Sequence, residues 1–295
     1  MTDQITLSPE TPVPVSSAPA ELVVFRNVTK SFGSGERAKI AIQNVSFVVR
    51  NTPGSGELIT IVGPSGCGKS TILRIIAGLA PQFPPTSGDV RVFGKPVIGP
   101  DANRGLVDQK YSLLPNLTLL DNVAFGLKLK KMPKPERHAI AHEWIKKVGL
   151  AGNERKYPSE LSGGMQQRVA IAATLILKPR ILLMDEPFGA LDPRTRLSMQ
   201  ELLVSLWREQ ETTVFFVTHS AEEAVYLGDR IYRMGSNPGR LVEELEAPRP
   251  DISPEEMRAQ PWFSQTVREL LFRLEQDIPD EKPLPFPGAR LRNHG

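Results

Sequence analysis

The 295-residue sequence has little cysteine, little net charge and no long apolar run. Its single cysteine, Cys67, excludes an intrachain disulfide and suits a reducing compartment. The apolar runs, such as residues 214–217, have only the length of a strand, well below the ~18 residues that cross a membrane. The first residues lack both the basic and the apolar segment of a signal peptide. These absences favour a soluble cytosolic protein, for which any work at a membrane requires a second chain.

The charge balance argues against a nucleic-acid partner. The 36 Lys and Arg residues against 33 Asp and Glu residues leave a net charge of only +3. Hydrophobic residues at 40% and charged residues at 23% are ordinary for a globular chain, which at this length can bury a full core. Prolines cluster at both ends, and they predict a disordered tail over residues 1–20 and a Pro-rich tail over residues 277–295.

Strand and helix signals alternate through the middle of the chain. Short apolar runs predict buried strands at residues 58–62, 180–184 and 212–218. Helices are predicted after the first two, over residues 69–79 and 192–207, the second with an Asp N-cap and a Pro at its first position. This alternation predicts an α/β fold with a parallel sheet and helices packed on it.

Four further segments carry signals. No strand is evident between residues 111 and 161, which predicts a helical subdomain. Residues 235–239 read as a turn between two short strands, and Ser220 with Glu223 predicts a capping box. A helix predicted to begin at Ser253 has five apolar residues expected on one face: Phe263, Val267, Leu270, Leu271 and Leu274.

Residues 63–71, here called the phosphate loop, contain the most specific motif, G-x-x-x-x-G-K-S. It lies between a predicted strand and a predicted helix, the context that gives this pattern its meaning. Glycines let successive backbone N–H groups face one concavity at a helix N-terminus, which suits phosphate. We expect Lys69 to reach the β- and γ-phosphates and the Ser70 hydroxyl to bind Mg²⁺. The predicted nucleotide-binding residues of this loop are Gly63, Pro64, Ser65, Gly66, Cys67, Gly68, Lys69, Ser70 and Thr71.

Two acidic residues follow the strand at residues 180–184. Side chains at the carboxyl ends of parallel strands face the ligand in open α/β sheets. Asp185 is expected to hold Mg²⁺, and Glu186 to orient and deprotonate the water that attacks the γ-phosphate. By themselves the two acids fit a solvated turn equally well. Beside a phosphate loop they indicate a P-loop NTPase that binds ATP and Mg²⁺.

Residues 161–168, Leu-Ser-Gly-Gly-Met-Gln-Gln-Arg, resemble the signature motif of ATP-binding cassette (ABC) ATPases. In that family the signature loop, here Ser162, Gly163 and Gly164, contacts the γ-phosphate of ATP held by the opposite subunit. The resemblance implies two cassettes face to face with two ATP between them. It also implies a mixed sheet with a RecA-like core, an antiparallel β subdomain and a helical subdomain at about residues 111–165. The ATPase domain then spans residues 21–245, and residues 246–276 form a C-terminal helical extension.

Other positions match this family one by one. Gln109 resembles the glutamine that senses Mg²⁺ and the attacking water, and His219 the switch histidine that contacts the γ-phosphate. Residues 189–192 resemble the loop whose last member, Asp192, lies at the composite site. Phe32 matches the aromatic position that stacks on adenine, with a core phenylalanine as the alternative. Asp108 departs from the family, since an aromatic residue commonly precedes this glutamine.

Within the family, residues 113–123, 157–164 and 237–244 are most similar to importer cassettes of the nitrate, sulfonate and taurine group. This similarity implies an ATP-hydrolysing subunit at the cytoplasmic face of the inner membrane. The implied partners are a second copy of the chain, a separate membrane permease docking just after Gln109 and, indirectly, a periplasmic or extracellular solute-binding protein.

Two other functions fit part of the sequence. A soluble ABC clamp without a permease uses the same motifs, but such chains usually have two cassettes or a long coiled coil. A small-molecule kinase shares the phosphate loop but leaves the signature loop and His219 without a role. His138 and His142 lie in a Lys- and Glu-rich segment and are expected to be solvated.

Overall fold

A computed structural model describes residues 21–33, 35, 38–50, 56–109, 112–247 and 252–276. The strands of this part are β1 (Glu21–Phe32), β2 (Lys39–Arg50), β3 (Leu58–Val62), β4 (Ser87–Val92), β5 (Lys95–Pro96), β6 (Arg104–Val107), β7 (Ile181–Asp185), β8 (Thr213–Thr218), β9 (Arg230–Gly235) and β10 (Arg240–Glu246). Its helices are α1 (Lys69–Ala77), α2 (Leu119–Leu129), α3 (Lys134–Lys147), α4 (Gly163–Leu175), α5 (Pro193–Arg208), α6 (Ala221–Leu227), α7 (Pro254–Ala259) and α8 (Pro261–Gln276). The predicted tails lie outside the described residues.

The central sheet has six strands in the order β10-β9-β3-β8-β7-β6. The pairings from β9 to β6 are all parallel, and β10 adds to β9 as an antiparallel edge strand. The predicted α/β fold with a mixed sheet is therefore confirmed. Because β8 lies between β3 and β7, the carboxyl ends of these three strands meet at one edge of the sheet. The residues that follow them are Gly63, Glu186 and His219.

Both faces of the central sheet are covered, which explains why its strands are apolar at nearly every position. Along β3, Leu58 and Val62 belong to the core formed with the helices. Ile59 and Ile61 point the other way, into a core shared with α1 and a second sheet. Alternate side chains of one strand thus stabilise two different layers.

The second sheet is antiparallel, with the order β2-β1-β4-β5, and is the β subdomain that the family resemblance implies. Phe25 of β1 and Phe47 of β2 stack with ring centroids 4.5 Å apart, and Phe47 also contacts Tyr232 of the central sheet at 5.1 Å. This aromatic contact joins the two sheets.

The segment between β6 and β7 contains α2, α3 and α4, with only a 3-10 turn (Pro158–Glu160) between the last two. Asn122 of α2 is buried and holds the approach to this helix: its amide bonds to Leu114 and to the carbonyls of Leu117 and Thr118. The expectation that His138 is solvated was wrong, because its Nε2 lies 3.1 Å from the Asp121 carboxylate and its side chain is only 21% exposed. Within the described residues no helix is both long and apolar enough to span a bilayer.

The C-terminal extension differs from the single helix that the sequence predicts. Ser253 caps α7 as expected, but Gln260 adopts an extended backbone and α8 starts at Pro261. Proline has no N–H to continue a helix and keeps the residue before it extended, which is why the helix breaks there. On α8, Phe263 and Leu270 are buried, whereas Leu271 is 43% exposed. Its predicted place on the apolar face was wrong, because the buried positions Phe263, Leu270 and Arg273 lie on another side of the helix.

Candidate nucleotide-binding site

The phosphate loop joins the end of β3 to the start of α1. Gly66 and Gly68 have φ values of 79° and 93°, a left-handed backbone that favours glycine. No side chain caps α1 and no acidic residue lies in its first turn, so its N-terminal N–H groups remain available to an anion. The buried Lys69 ammonium donates to the carbonyls of Gly63 (2.8 Å) and Pro64 (2.9 Å). This lysine therefore lies folded back over the loop that it is predicted to serve.

A layer behind the loop was missed by sequence reasoning. A Cβ atom added at Gly68 would lie 2.3 Å from Cγ2 of Ile42, and one added at Gly239 would lie 2.0 Å from the carbonyl oxygen of Cys67. Gly239 also exchanges backbone hydrogen bonds with β2, donating to Ala41 (3.1 Å) and accepting from Gln43 (2.8 Å). The β9–β10 turn and β2 thus brace the phosphate loop. The turn itself was predicted, but its contact with the loop spans over 170 residues and leaves no local signal.

Two of the three predicted magnesium-binding residues, Ser70 and Asp185, lie together, and the third is Gln109. Ser70 Oγ donates to Asp185 Oδ1 at 2.7 Å, and these hard oxygen donors fit Mg²⁺. Arg74 donates to Asp108 at 3.0 Å, and its Nε lies 3.9 Å from Asp185. Burial raises the pKa of Asp185 above its ordinary value; the Ser70 hydrogen bond opposes this, and the nearby Asp108 carboxylate adds to it. A bound cation would stabilise the ionised form of this carboxyl and so offset the cost of its burial.

Glu186 and His219 meet at the edge of the sheet. His219 Nδ1 lies 3.3 Å from Glu186 Oε2. Glu186 has a φ of 47°, rare for a residue with a side chain, and its N–H donates to the carbonyl of Val217 at 3.1 Å. A methyl group at Gly189 would lie 3.8 Å from Gln109 Nε2 and 3.9 Å from His219 Cε1. The structure thus brings the predicted base, switch histidine and sensor glutamine to one place.

The signature loop lies at the start of α4. Ser162 caps the helix by accepting from the N–H of Met165 at 3.3 Å, and Ser162 and Gly163 are exposed. A Cβ atom at Gly164 would lie 2.7 Å from the Thr195 methyl group, so glycine is needed there for α5 to approach. The described contacts of this loop lie within the helical segment and α5. The structure does not bring it to the phosphate loop of the same chain.

Two remaining predicted residues lie at element ends. Phe32 ends β1 and is half-buried, with the Lys30 ammonium 5.3 Å from its ring centroid, so it is no fully buried core residue. Asp192 caps α5 by accepting from the Thr195 N–H at 3.0 Å; hydrogen bonds from the Thr195 side chain and then from this N–H lower the pKa of its carboxyl. Stacking of Phe32 on adenine and a contact of Asp192 at the composite site stay predictions.

Comparison with known proteins gives a consistent result. The protein family described as ABC transporter matches residues 42–189. The chain is 46% identical over 207 residues to the taurine import ATP-binding protein TauB of Escherichia coli, covering 70% of this chain and 78% of TauB. It is 46% identical over 212 residues to the nitrate import ATP-binding protein NrtD of a Synechocystis species, covering 72% and 77% of the two chains. An uncharacterized ABC transporter ATP-binding protein of Methanocaldococcus jannaschii is 53% identical over 228 residues, covering 76% and 82%.

Solved structures agree. A dimer of the ATP-binding cassette MJ0796 in a post-hydrolysis state with ADP and Pi superposes with a TM-score of 0.66 at 36% identity, covering 76% of this chain and 97% of that chain. The cassette CbiO1 of Clostridium perfringens, at 24% identity and a TM-score of 0.67, supports the fold alone. The chain belongs to the ABC transporter family, as an ATP-binding subunit of the importer group that binds and hydrolyses nucleotide.

Proposed function

We propose that this protein drives solute import by a separate membrane permease, with two copies closing on two MgATP. The supported solutes are small anions of the taurine and nitrate kind, because relatives of these names match most of the chain. In this proposal the subunit lies peripherally at the cytoplasmic face of the membrane. A periplasmic or extracellular solute-binding protein delivers the solute to the permease.

One observation carries the ATPase part of the proposal. The Ser70–Asp185 pair and the Glu186–His219 pair lie at the ends of neighbouring strands, beside the start of α1. One pair offers oxygen ligands to a cation, and the other offers a base with a histidine 3.3 Å away. In this proposal, the last phosphate of a nucleotide bound to the phosphate loop lies between the Ser70–Asp185 pair and the Glu186–His219 pair.

The chain's own residues then divide the work. Lys69 exchanges its two loop carbonyls for phosphate oxygens, and Ser70 with Asp185 and Gln109 would hold Mg²⁺, which supplies neutralisation of phosphate charge. Glu186 accepts a proton from the attacking water. The water oxygen bonds to the γ-phosphorus as the bond between that phosphorus and ADP breaks. His219 orients Glu186 and faces the phosphate as charge develops on it.

The second copy completes each site. The exposed N-terminus of α4 offers backbone N–H groups to an anion, yet within one chain it lies apart from the phosphate loop. Two chains related by a two-fold axis can place each signature loop over the other's ATP. The dimeric MJ0796 cassette supports such a pair.

Two variants test this part. Glu186→Gln should bind MgATP but hydrolyse it at least ~10²-fold more slowly, and so trap a dimer visible by light scattering. Adding Ser162→Arg should keep the trapped protein monomeric with ATP bound. Glu201→Gln and Ser205→Arg, both at exposed positions of α5, are the matched controls. A Glu186→Gln variant with parental turnover contradicts the role of the base, and a dimer that survives Ser162→Arg contradicts the composite site.

Uptake by cells tests the import part. In a strain that lacks this chain, labelled taurine and nitrate uptake should fall, and the parental gene should restore it while Glu186→Gln does not. Purification of the tagged chain from solubilised membranes should yield an integral-membrane partner. Unchanged uptake of both solutes contradicts the solute class. A fully active protein with no membrane partner favours the soluble clamp.

A further inference from the structure

A buried hydroxyl organises the turn that contains His219. Thr218 ends β8, and its Oγ accepts from the N–H of Ser220 at 2.9 Å. The same hydroxyl donates to Oε2 of Glu223, in the first turn of α6. Thr218 is 2% exposed and Glu223 is 7% exposed, whereas the His219 ring is half exposed. The orientation of His219 therefore depends on this buried backbone turn.

Glu223 departs from the predicted capping box. Ser220 Oγ accepts from the N–H of Glu223 at 3.3 Å, as expected, but the Glu223 carboxylate turns inward instead of returning to the Ser220 N–H. Its Oε1 accepts from Nε2 of Gln200, a buried residue of α5, at 3.1 Å. The carboxylate is thus satisfied by two uncharged donors.

The charge that faces this carboxylate comes from the C-terminal extension. Nη2 of Arg258, in α7, donates to Oε1 of Gln200 at 2.9 Å. A carboxylate only accepts and a guanidinium only donates, so the Gln200 amide has a single orientation that satisfies both. Arg258 also stacks over the ring of Tyr226 at 4.2 Å, and its Nε lies 3.8 Å from Glu222.

We propose that Arg258 is a positioning residue for His219, acting through Gln200, Glu223 and Thr218. This relay joins four elements, α7, α5, α6 and β8, and ends on the backbone beside the switch histidine. Without Arg258, the buried side-chain oxygen of Gln200 loses its hydrogen-bond donor. Glu223 then also loses the cation that reaches it through Gln200, and each loss is costly in a buried site. The turn then loosens, and His219 spends less time against Glu186. The inference rests on the proposed role of His219 and gives the C-terminal extension a part in turnover.

The test uses the full chain with Arg258→Met, which keeps an apolar stem against Tyr226 but removes the donors. Loss of one hydrogen bond to a charged group predicts a fall in kcat of about tenfold, with the KM for ATP unchanged. Hydrogen exchange in the peptide spanning residues 216–224 should become faster. Arg258→Lys, which keeps a cation and a donor, should recover part of both signals. Arg268→Met, at an exposed position of α8, is the matched control and should behave as the parent.

A double-mutant cycle with His219→Ala separates the relay from the proposed function. If Arg258 acts through His219, Arg258→Met should add nothing to the loss caused by His219→Ala. The inference is overturned if Arg258→Met lowers kcat as much in the His219→Ala protein as in the parent. It is also overturned if Arg258→Met alone keeps the parental kcat and the parental rate of hydrogen exchange. Should Arg258→Met fail to fold, Arg258→Lys decides by the same two readouts. If His219→Ala alone keeps parental kcat, the proposed role of His219 fails, while the exchange data still report on the relay.

Discussion

Replacing Gly239 by alanine tests whether the β9–β10 turn braces the phosphate loop. An added methyl group would lie 2.0 Å from the carbonyl oxygen of Cys67 and 2.6 Å from that of Ala41. Ordinary contacts of this kind are roughly 3.5 Å, so the turn and the loop must separate by more than about 1 Å. The φ of Gly239 is not among the left-handed ones, and the substitution therefore acts through space alone.

The expected size follows from the cost of overpacking, about 1–3 kcal/mol. If that cost falls on the loop geometry that ATP requires, affinity drops by roughly 5- to 140-fold, at 1.4 kcal/mol per factor of ten. Unfolding should move by about 2–4 °C for each kcal/mol lost. The assay is equilibrium titration with a fluorescent ATP analogue, together with a thermal melt of the same sample.

Two other glycines calibrate the result. Gly99→Ala places its methyl group in open space and should leave affinity unchanged. Gly68→Ala meets Ile42 at 2.3 Å and also forces alanine to a φ of 93°, so it should lose more affinity than Gly239→Ala. A Gly239→Ala protein that melts earlier but binds the analogue with parental affinity would refute the reasoning, because the turn would then support the fold and not the loop.

Three further outcomes follow from buried polar groups. Asp185→Asn should raise the melting temperature in metal-free buffer at neutral pH. Burial raises the pKa of Asp185, so the contribution of this carboxyl to stability is present at low pH and lost as pH rises through the folded pKa. The advantage of asparagine should therefore vanish in acid. Glu243→Leu removes the buried carboxylate that Arg233 and Arg273 share, and should cost about 3–5 kcal/mol, or roughly 6–20 °C in a thermal melt. Asn122→Ala removes the bonds that hold residues 114–118, so limited proteolysis should cut this segment sooner while ATP affinity stays parental. An unchanged melt or digestion pattern contradicts the corresponding packing argument.

The sequence predicted the parts of the site whose chemistry is local. The glycines at 66 and 68 need their backbone freedom within a single turn, and Asp185 and Glu186 follow an apolar strand directly. Parallel strands then bring their carboxyl ends to one edge, so the meeting of Glu186 with His219 follows from topology. Those steps need only neighbouring residues and one general rule about sheets.

The supporting contacts could not be predicted in this way. Gly239 meets Cys67, and Arg258 meets Gln200, across distances in sequence that no period or spacing encodes. Glu223 shows the same limit on a smaller scale. Its spacing from Ser220 predicts a capping box, but its carboxylate instead accepts hydrogen bonds from the buried Thr218 hydroxyl and Gln200 amide. Tertiary burial decided each of these positions, because a buried polar group must find its partners wherever the fold places them.

The two helix N-termini that are predicted to bind phosphate are capped differently. This difference predicts which of them binds ATP first. The start of α1 has no side-chain cap, so its N–H groups are open to the phosphates of an ATP bound by the same chain. The start of α4 is already capped, since Ser162 accepts from the Met165 N–H, and a phosphate must compete with that bond. ATP should therefore bind first at the phosphate loop, and the signature loop of the other copy should join only once a γ-phosphate is held in place. An isolated chain can then bind nucleotide but has little means of hydrolysing it, and turnover should rise with the square of protein concentration when dimers are scarce.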